Sequence, residues 1–403
     1  MSVLNILEEK LAETKKQGRF REFLNLERGV QDKPWATRHG HHGERRLNVW
    51  CSNDYLAMSH HPKVLLATTE AVNRVGLGTC GARSISGTSV YHSELETLLA
   101  SAYGKESALL FTTGFGANDA TLSTLCDAIP DLIVFSDELN HASMIYGIRY
   151  SKAEKKIFRH NDVAHLAELL QAADPARPKL IAFESLYSMD GDFAPLAQIV
   201  ALAEQYQALT YLDEIHSAGV YGERGLGYAE QLGLLDKITI IQGGFGKSYG
   251  AAGGYIAAPR SVVEAVRSWA PAFVFSTSSP APVVAAALAS FKYNLEHDTQ
   301  RKHLLAIVDH LKTGLRAAGI PLVSADSHIL PLRVGDPHRN KHISKVLLDE
   351  HDIYVQPVNA PTVPAGSERL RVTPTSAHSH ADVETFLAAL GRVWAANDLR
   401  RAG

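Results

Sequence analysis

Residues 179–214 read KLIAFESLYSMDGDFAPLAQIVALAEQYQALTYLDE. Two short apolar runs, at 179–185 and 208–214, enclose a stretch with the spacing of a helix, at 194–206. Apolar runs without alternation are typical of strands that are buried on both faces. The segment therefore predicts a strand, a helix and a second strand, which is the repeating unit of an α/β domain with a mostly parallel sheet.

The same alternation of strand and helix extends from about residue 51 to residue 290. From about residue 292 the order changes to a long helical stretch, two strand-like runs (SHILPLRVG and RLRVTPT) and a final helix. We therefore expect an N-terminal arm over 1–50, a large α/β domain over 51–291 and a small α+β domain over 292–403. The further apolar runs of the large domain are SALLF (107–111), LIVF (132–135), KITIIQ (237–242) and GGYIAA (253–258).

Composition excludes several classes of protein. The 403 residues are 45% hydrophobic and 21% charged, with a formal net charge of −3. The chain therefore has enough apolar material for large cores, and no excess of positive charge that would favour nucleic acid or an anionic membrane. Its three cysteines form no C-x-x-C motif, which argues against a disulfide framework and against a thiolate zinc site.

Membrane insertion and export are also disfavoured. Residues 268–291 carry no charge, but Pro271, Pro280 and Pro282 prevent a continuous spanning helix. The N-terminus, MSVLNILEEKLAETKKQG, is predicted to be a charged amphipathic helix and lacks the apolar region of a signal peptide. We expect a soluble protein located in the cytoplasm, of a bacterial type.

Three motifs suggest a ligand but fail on context. Gly76 to Gly81 matches G-x-G-x-x-G, yet it follows a helical stretch, whereas a dinucleotide loop follows a strand. Gly243 to Ser248 resembles a phosphate loop, but Ile241 stands where the motif needs glycine. The histidines at 39, 41 and 42 lie in a polar connection, TRHGHHGERR, and are interpreted as solvated surface. No metal site is expected.

Polar side chains follow several of the predicted strands. In open α/β sheets, ligands bind beyond the carboxyl ends of the strands, so these side chains are candidates for a site. The turn FTTGFGAN after SALLF adds backbone N–H groups at a predicted helix start, which suit a phosphate. The candidates are Asp137, Asn140, His141, Ser185, Ser188, Asp213, His216 and Lys247.

Pyridoxal phosphate needs a set of this kind. It requires a lysine for a Schiff base and a carboxylate that keeps its pyridine nitrogen protonated. Lys247 and Asp213 suit these two roles, His141 suits a flat contact with the ring, and the 112–116 turn suits the phosphate. Each alone has a structural alternative, since the lysine could be solvated, Asp213 could cap a helix and His141 could be a satisfied core residue. Their joint placement favours the cofactor.

Long blocks of the sequence resemble the α-oxoamine synthases, and among them the 5-aminolevulinate synthases. The resemblance extends from about residue 18 to the C-terminus and implies a fold-type I, aspartate aminotransferase-like, pyridoxal-phosphate-dependent acyltransferase. The blocks are GRFREFLNLER, VWCSNDYLAMSHHPKV, GKESALLFTTGFGANDATLSTL, FSDELNHASMIYGIR, FRHNDVAHL, RPKLIAFESLYSMDGDFAPL, ALTYLDEIHSAGVYGERG and VNAPTVPAGSERLRVTPT.

The resemblance implies roles for the cofactor-site residues. Lys247 would carry the cofactor as a Schiff base and, once released, take the α-proton of the amino acid. Asp213 would pair with the pyridinium nitrogen and His141 would stack on the ring. The remaining contacts would be Ser188 and His216 with the phenolic oxygen, Gly114 and Phe115 with the phosphate, and Ser276 and Thr277 with the phosphate of the neighbouring subunit in a homodimer.

The resemblance also implies the reaction and its substrates. Glycine and succinyl-CoA would condense, with loss of CoA and CO2, to 5-aminolevulinate, a precursor for tetrapyrrole synthesis. Arg371, helped by Asn53, would bind the carboxylate of the amino acid. Contacts to the acyl group would come from Arg21 with the succinyl carboxylate, and from Ser84, Ile85 and Thr362.

Two departures from the family pattern leave alternatives open. Ala82 and Ser84 stand where aminolevulinate synthases usually have threonine and asparagine, so a different acyl-CoA or a different amino acid remains an alternative. One lost hydroxyl contact changes binding by about 0.5–1.5 kcal/mol, while Arg21 retains the larger charge-assisted contact. Gly244 stands where the family has a phosphate-binding threonine, which predicts weaker retention of the cofactor.

Overall fold

The computed structural model describes residues 2–20, 22–40 and 43–397. By packing, the chain divides into two compact units. The sheet unit comprises residues 54–187 and 193–301, and the terminal unit comprises residues 1–53, 188–192 and 302–403. The domain boundaries expected after residues 50 and 291 stay a prediction.

The strands have the following bounds: β1 Leu26–Glu27, β2 Trp35–Gly40, β3 Gly43–Val49, β4 Ser107–Phe111, β5 Ile133–Asp137, β6 Glu154–Phe158, β7 Lys179–Glu184, β8 Leu209–Asp213, β9 Ile240–Gly244, β10 Gly254–Ala258, β11 Leu330–Arg333, β12 Ile353–Tyr354, β13 Gln356–Val358 and β14 Arg369–Val372.

The helices have the following bounds: α1 Val3–Lys16, α2 Pro62–Val75, α3 Val90–Tyr103, α4 Gly114–Ala128, α5 Ala142–Arg149, α6 Val163–Gln171, α7 Leu196–Gln205, α8 Tyr228–Gln231, α9 Arg260–Trp269, α10 Pro271–Val274, α11 Ala281–Glu296, α12 Thr299–Ala317, α13 Pro337–His351 and α14 His380–Ala396. No helix among the residues that the structure describes is long and apolar enough to cross a membrane.

A seven-stranded sheet forms the centre of the sheet unit. Its order is β4-β10-β9-β8-β7-β5-β6, and only β10 runs antiparallel to its neighbours. The predicted mostly parallel sheet is confirmed. Because the parallel strands share one direction, the polar side chains at their carboxyl ends lie along a common edge.

Apolar side chains bury both faces of this sheet. Along β7, Ile181 and Phe183 belong to one core cluster, while Leu180 and Ala182 belong to a second cluster on the opposite face. Burial of a Leu, Ile or Phe side chain contributes about 1.5–3 kcal/mol, so runs of this kind are stable only in the interior of a sheet. This is the reason that residues 179–185 show no alternation in sequence.

Strand β6 was missed by the sequence reasoning. It lies at the edge of the sheet and reads Glu154-Lys155-Lys156-Ile157-Phe158, with only Phe158 buried. Edge strands commonly carry charged side chains, which discourage pairing with another chain. A search for continuous apolar runs therefore does not detect β6.

The terminal unit contains two small sheets, with the orders β1-β2-β3-β12 and β11-β14-β13. Helices α12, α13 and α14 pack around a single apolar core, which includes Trp50, Phe386 and Trp394. Trp50 and Phe386 stack with their ring centroids 4.4 Å apart. Residue 50, near the start of the chain, is thereby tied to the final helix.

Two expectations from the sequence were wrong in detail. The polar connection TRHGHHGERR is largely a β-hairpin, since β2 and β3 pair from Trp35 with Asn48 to Gly40 with Gly43. The single helix expected from residue 292 is two helices, because His297 adopts an extended conformation (φ −134°, ψ 134°) after α11. His41 and His42 lie outside the described residues.

Candidate active site

Two carboxylates lie at the common edge of the central sheet. Glu184 ends β7, Asp213 ends β8, and the two residues pair directly in register. Asp213 is buried, and both of its carboxylate oxygens accept hydrogen bonds: Oδ1 from the Ile215 N–H at 2.8 Å and Oδ2 from Asn118 Nδ2 at 2.7 Å. The side chain is thus held in one orientation by α4 and by the turn after β8.

The surroundings of the two carboxyl groups act differently on their pKa values. Burial raises the pKa of Asp213, but the hydrogen bonds from Asn118 and Ile215 and the charges of His141 and Lys247 oppose that rise. Burial, reinforced by the negative charge of Asp213, raises the pKa of Glu184 well above its usual range. The hydrogen bonds and positive charges around Asp213 favour its ionised form, which is the form needed beside a pyridinium nitrogen, whereas the surroundings of Glu184 favour the neutral acid.

His141 lies at the start of α5, where its Nδ1 accepts a hydrogen bond from the Ser143 N–H at 3.2 Å. The backbone N–H of His141 donates to Glu184 Oε1 at 2.6 Å, so the residue is fixed at the sheet edge. Burial lowers the pKa of His141, which favours the neutral imidazole. The ring meets that of Phe115 edge-on, with the centroids 6.4 Å apart.

The start of α4 offers free backbone donors. Thr113 caps the helix, with its Oγ1 accepting from the Gly116 N–H at 2.9 Å. Within the described chain, the N–H groups of Gly114 and Phe115 have no hydrogen-bond partner. Gly254 must remain small here, because a Cβ at that position would lie 2.7 Å from the Gly114 Cα. Unpaired N–H groups at a helix start suit a phosphate.

Lys247 lies in the turn between β9 and β10, and its backbone carbonyl accepts from the Gly250 N–H at 2.9 Å. Gly250 has a positive φ of 62°, and a Cβ there would lie 2.0 Å from the Ser59 nitrogen, so this turn requires glycine. The positive charge of Lys247 adds to the lowering of the His141 pKa and opposes the rise of the Asp213 pKa. The structure therefore brings the lysine, the carboxylate and the histidine together.

His216 is buried in the same unit. Its Nδ1 shares a hydrogen bond of 2.8 Å with the hydroxyl of Tyr55, which is fully buried. The tyrosine thereby orients the imidazole beside the strand end that carries Asp213. Ser185, which the strand-end pattern also singled out, is buried instead against Ser217, with the two hydroxyl oxygens 2.7 Å apart.

The expected acyl-binding residues Ser84 and Ile85 lie on an exposed loop, which we call the 82–88 loop. Its Ala82 pairs with Thr277 across an isolated bridge. Ser276 and Thr277, together with Thr112 and Gly116 at the start of α4, line a cleft with about 350 Å³ of empty space. Arg83 points away from solvent and forms a two-pronged ion pair with Glu96 at 2.8 and 2.9 Å.

The terminal unit carries the remaining candidates. Arg371 on β14 is buried, and it donates from Nε to the Ser188 carbonyl at 2.8 Å and from Nη1 to Asn53 Oδ1 at 3.0 Å. Three of the predicted residues are thus in direct contact. Thr362 is exposed, and its N–H donates to the Asn359 carbonyl at 3.1 Å.

Arg21 lies outside the described residues. The residues just before it are described: Asn359 Nδ2 donates to the Gly18 carbonyl at 3.1 Å, and Lys341 Nζ donates to the Phe20 carbonyl at 2.5 Å. The segment before Arg21 is therefore tied to the same unit as Thr362.

Sequence reasoning missed three residues of this site: Asn118, Glu184 and Tyr55. Asn118 lies one helical turn after Gly114, so a polar residue on the inner face of a predicted α4 was the available signal. Glu184 directly precedes Ser185 at the end of an apolar run and had the same strand-end signal. For Tyr55 no local pattern existed, since its partner His216 is 161 positions away.

No group of His, Cys, Asp or Glu side chains within residues 2–20, 22–40 and 43–397 is arranged to hold a metal ion. His39, one of the clustered histidines, contacts Glu27 instead, with its Nε2 2.9 Å from the carboxylate oxygen. The Gly76 to Gly81 motif begins at the C-terminal end of α2, in the context that disfavours a nucleotide loop.

Comparison with known proteins agrees with this geometry. Residues 46–390 match the model of the family described as aminotransferase class I and II. The chain belongs to this family. It is 49% identical over 395 residues to the 5-aminolevulinate synthase of Rhodobacter capsulatus, covering 96% of this chain and 95% of the relative. It is 49% identical over 399 residues to that of Paracoccus denitrificans, covering 98% of each chain. The resemblance to α-oxoamine synthases is confirmed.

Solved structures of the family have the same fold. The serine palmitoyltransferase of Sphingomonas wittichii matches with a TM-score of 0.91 and 31% identity, over 99% of each chain. A high-resolution structure described as SPT with a pyridoxal-phosphate internal aldimine matches with a TM-score of 0.93 and 31% identity, over 99% of this chain and 100% of that chain. The fold-type I prediction is confirmed.

The cofactor of this chain is pyridoxal phosphate. The described residues fit it: a buried carboxylate with two hydrogen-bond donors for the ring nitrogen, a lysine beside it, a histidine whose lowered pKa favours the neutral ring, and two unpaired N–H groups at the start of α4. These are the donor and acceptor types that the ring and the phosphate need.

Proposed function

We propose that this protein condenses glycine with succinyl-CoA and releases CoA and CO2 to form 5-aminolevulinate. The observation that carries the proposal is near-half identity to 5-aminolevulinate synthases along almost the whole chain. The structural arrangement supports it, because Lys247, Asp213 and His141 converge at one edge of the central sheet.

Bound pyridoxal phosphate supplies an electron sink, which stabilises the negative charge left on an amino-acid carbon when a proton or CO2 departs. Asp213 serves this chemistry by staying ionised and holding a proton at the ring nitrogen. His141, neutral and fixed by Glu184 and Ser143, supplies a flat surface against the ring. The N–H groups of Gly114 and Phe115 would hold the phosphate.

Lys247 is the base in this site. Its amine would take the α-proton of glycine, and the influence of its charge on His141 and Asp213 supports a position beside them. Arg371 binds the carboxylate of glycine with its guanidinium plane, which the Ser188 carbonyl and Asn53 hold in a fixed direction.

The α-carbon of glycine forms a bond to the thioester carbon of succinyl-CoA, and the carbon–sulfur bond breaks to release CoA. The original glycine carboxylate then leaves as CO2, and a proton takes its place on the α-carbon. Arg21 and Thr362 would bind the free succinyl carboxylate, which a neutral acyl chain lacks.

A second candidate is condensation with a different acyl-CoA or a different amino acid. It is favoured by Ala82 and Ser84 on the 82–88 loop, where the expected threonine and asparagine are absent. It is also consistent with the fold shared with a serine palmitoyltransferase. An acyl group without a terminal carboxylate would offer no anionic group to the Arg21 guanidinium. We therefore favour succinyl-CoA.

The test is turnover of glycine, serine and alanine with succinyl-, acetyl-, octanoyl- and palmitoyl-CoA, with each product identified by mass. We expect glycine and succinyl-CoA to give the highest kcat/KM. Arg21→Ala should raise KM for succinyl-CoA on the order of tenfold or more, and leave KM for glycine near its original value. A higher kcat/KM with palmitoyl-CoA would overturn the choice of donor.

We further propose that two copies of the chain assemble, with Ser276 and Thr277 contacting the cofactor of the neighbouring copy. The sheet unit exposes large apolar side chains that a monomer would leave in water, among them Phe275, which is 84% exposed and adjacent to Ser276. Leu66, Leu77, Ile85 and Trp269 are further examples. Sedimentation equilibrium should give twice 43.8 kDa, and Phe275→Asp should lower that mass. A single-chain mass at micromolar concentration would contradict the proposal.

We propose a cytoplasmic location and a role in tetrapyrrole supply. Cys51, Cys80 and Cys126 are not joined in disulfides, which suits a reducing compartment. Complementation of a bacterium that cannot make 5-aminolevulinate would test the role, with Lys247→Ala as the inactive control.

A further inference from the structure

A buried chain of polar side chains links the two groups that face the cofactor ring. Asn118 on α4 lies at its centre and is itself almost completely buried. Its Nδ2 donates to Asp213 Oδ2 at 2.7 Å and to Ser143 Oγ at 3.0 Å, and its Oδ1 accepts from the Tyr211 hydroxyl at 2.7 Å. Ser143 Oγ in turn lies 2.7 Å from His141 Nδ1.

The donors and acceptors fix where each proton lies. A backbone N–H can only donate, so the bond from the Ser143 N–H makes His141 Nδ1 an acceptor. The neutral imidazole therefore carries its proton on Nε2. Ser143 Oγ accepts from Asn118 and must give its own proton to Nδ1. Tyr211 must donate, because Asn118 Oδ1 can only accept. The direction of every bond in the chain is thus determined.

We propose that Asn118 is a positioning residue that holds the Asp213 carboxylate in its ionised form and, through Ser143, locks His141 with its proton on Nε2. One amide thereby sets both the protonation of the cofactor ring nitrogen and the orientation of the stacked imidazole. The role of the two groups at the ring rests on the proposed function.

The amide is well suited to this double task. Its two N–H bonds diverge at a fixed angle, so Asp213 and Ser143 are held in one relative geometry. The Tyr211 hydroxyl anchors the opposite end and prevents the amide from rotating. Without Asn118, the Ile215 N–H would be the one remaining hydrogen-bond donor to Asp213 among the described residues, and a buried charge is costly when its hydrogen bonds are lost.

The electrostatics of the site agree with this role. Burial is the largest influence on the pKa of Asp213 and raises it, and the hydrogen bond from Asn118 is the largest opposing influence. Loss of the amide therefore shifts Asp213 toward the neutral acid, which cannot retain a proton on the ring nitrogen. The titratable groups around Asp213 are Glu184 on β7, Tyr211 on β8, Tyr255 on β10, His141 before α5 and Lys247 after β9.

The experiment follows the ring nitrogen directly. Holoenzyme is prepared with the cofactor labelled with 15N at that position, and its chemical shift, which distinguishes pyridinium from pyridine, is recorded from about pH 6 to about pH 9. The wild type should remain protonated over this range. Asn118→Ala should lose the ring proton at a pH lower by at least about one unit, and its cofactor dissociation constant should rise on the order of tenfold.

Three further variants separate positioning from loss of structure. Ser143→Ala should leave the ring-nitrogen titration unchanged and shift the imidazole 15N signals of His141, which are assigned by their absence in His141→Gln. Tyr211→Phe should also lower the pH at which the ring nitrogen loses its proton, by less than Asn118→Ala does. It replaces that variant in the test if Asn118→Ala fails to fold. Thr124→Val is the control, because it removes a buried hydroxyl of α4 that has no hydrogen-bond partner among the described residues.

An unchanged ring-nitrogen titration in both Asn118→Ala and Tyr211→Phe would overturn the proposal, as would an equal shift in Thr124→Val. These outcomes are independent of the substrates. If the wild type makes a different product while Asn118→Ala still loses its ring proton early, the proposed function fails and the role of Asn118 stands.

Discussion

Ile215 is wedged between two glycines of the cofactor site. A Cβ at Gly114 would lie 2.5 Å from its Cδ1, and a Cβ at Gly244 would lie 2.7 Å from Cδ1 and 2.8 Å from Cγ1. The absence of a threonine at 244 is therefore linked to the size of residue 215. The space that a threonine at 244 would need is filled by isoleucine.

This contact changes the expected effect of restoring the threonine. Gly244→Thr alone should destabilise the protein by about 1–3 kcal/mol, because the new side chain overlaps Ile215. Combined with Ile215→Ala, the same substitution should fit and lower the cofactor dissociation constant by about threefold to tenfold, through one added hydroxyl contact with the phosphate. Thermal unfolding and cofactor titration measure the two effects.

Gly391→Thr is the control for the introduction of threonine, since a Cβ at that position meets no atom within 4 Å. Unfolding of this variant should change little. If the double variant binds the cofactor no better than Ile215→Ala alone, the missing threonine does not limit retention of the cofactor.

At the scale of single elements, the 82–88 loop is anchored by an ion pair below it. Arg83 contacts Glu96 with two nitrogens and Thr88 Oγ1 with Nε at 3.0 Å, and Glu96 also accepts from the Leu110 N–H at 2.9 Å. The pair is largely shielded from water. It joins the loop to α3 and β4, and leaves Ser84 and Ile85 exposed.

Glu96→Gln should therefore loosen the loop. A buried two-pronged pair loses more than an exposed one when a partner is changed, so we expect local opening to become about 1–3 kcal/mol easier. Hydrogen exchange should increase for residues 82–88, and KM for the acyl-CoA should rise more than KM for glycine. Glu94→Gln, an exposed change on the same helix, should alter neither quantity. Unaltered exchange in Glu96→Gln would show that the loop is held by other contacts.

At the scale of the whole molecule, the terminal unit contains two buried histidines that titrate abnormally. Burial lowers the pKa of His328 to about 3, and burial lowers the pKa of His378 to about 4. His378 lies against Trp50, with the ring centroids 4.1 Å apart, and its Nδ1 accepts from the Thr375 N–H at 3.0 Å. Both rings are neutral in the folded protein.

Acid should therefore destabilise this unit. Each pKa is lower in the folded state than in the unfolded chain, so unfolding takes up protons between about pH 6.5 and pH 4. The stability that the neutral rings contribute is complete above about pH 6.5 and falls as the pH drops, by up to about 1.4 kcal/mol per pH unit for each histidine.

Hydrogen exchange at pH 7 and pH 5, corrected for intrinsic rates, measures the effect around α12 and α14. His378→Asn, whose Oδ1 can replace Nδ1 as an acceptor, should reduce the pH dependence, whereas the exposed His342→Asn on α13 should not. An equal pH dependence in wild type and His378→Asn would contradict this account.

Local patterns in the sequence are sufficient to predict the sheet and part of its site. Continuous apolar runs predict β4, β5, β7, β8, β9 and β10, because burial on both faces leaves no polar positions. Asp213, His141 and Lys247 follow such runs, and parallel strands bring their ends to one edge. The charged edge strand β6 and the break after α11 carry no comparable local signal.

The sequence by itself determined the fold class, the cofactor and the resemblance to 5-aminolevulinate synthases, since these depend on residue types at short spacing along buried strands. Only the tertiary structure decided which hydrogen bonds those residues receive and how much space surrounds them. Asn118 reaches Asp213 from 95 positions away, and Ile215 fills the space beside both Gly114 and Gly244. Such hydrogen bonds and overlaps depend on ångström distances between separate elements, and periodicity along one chain does not encode those distances.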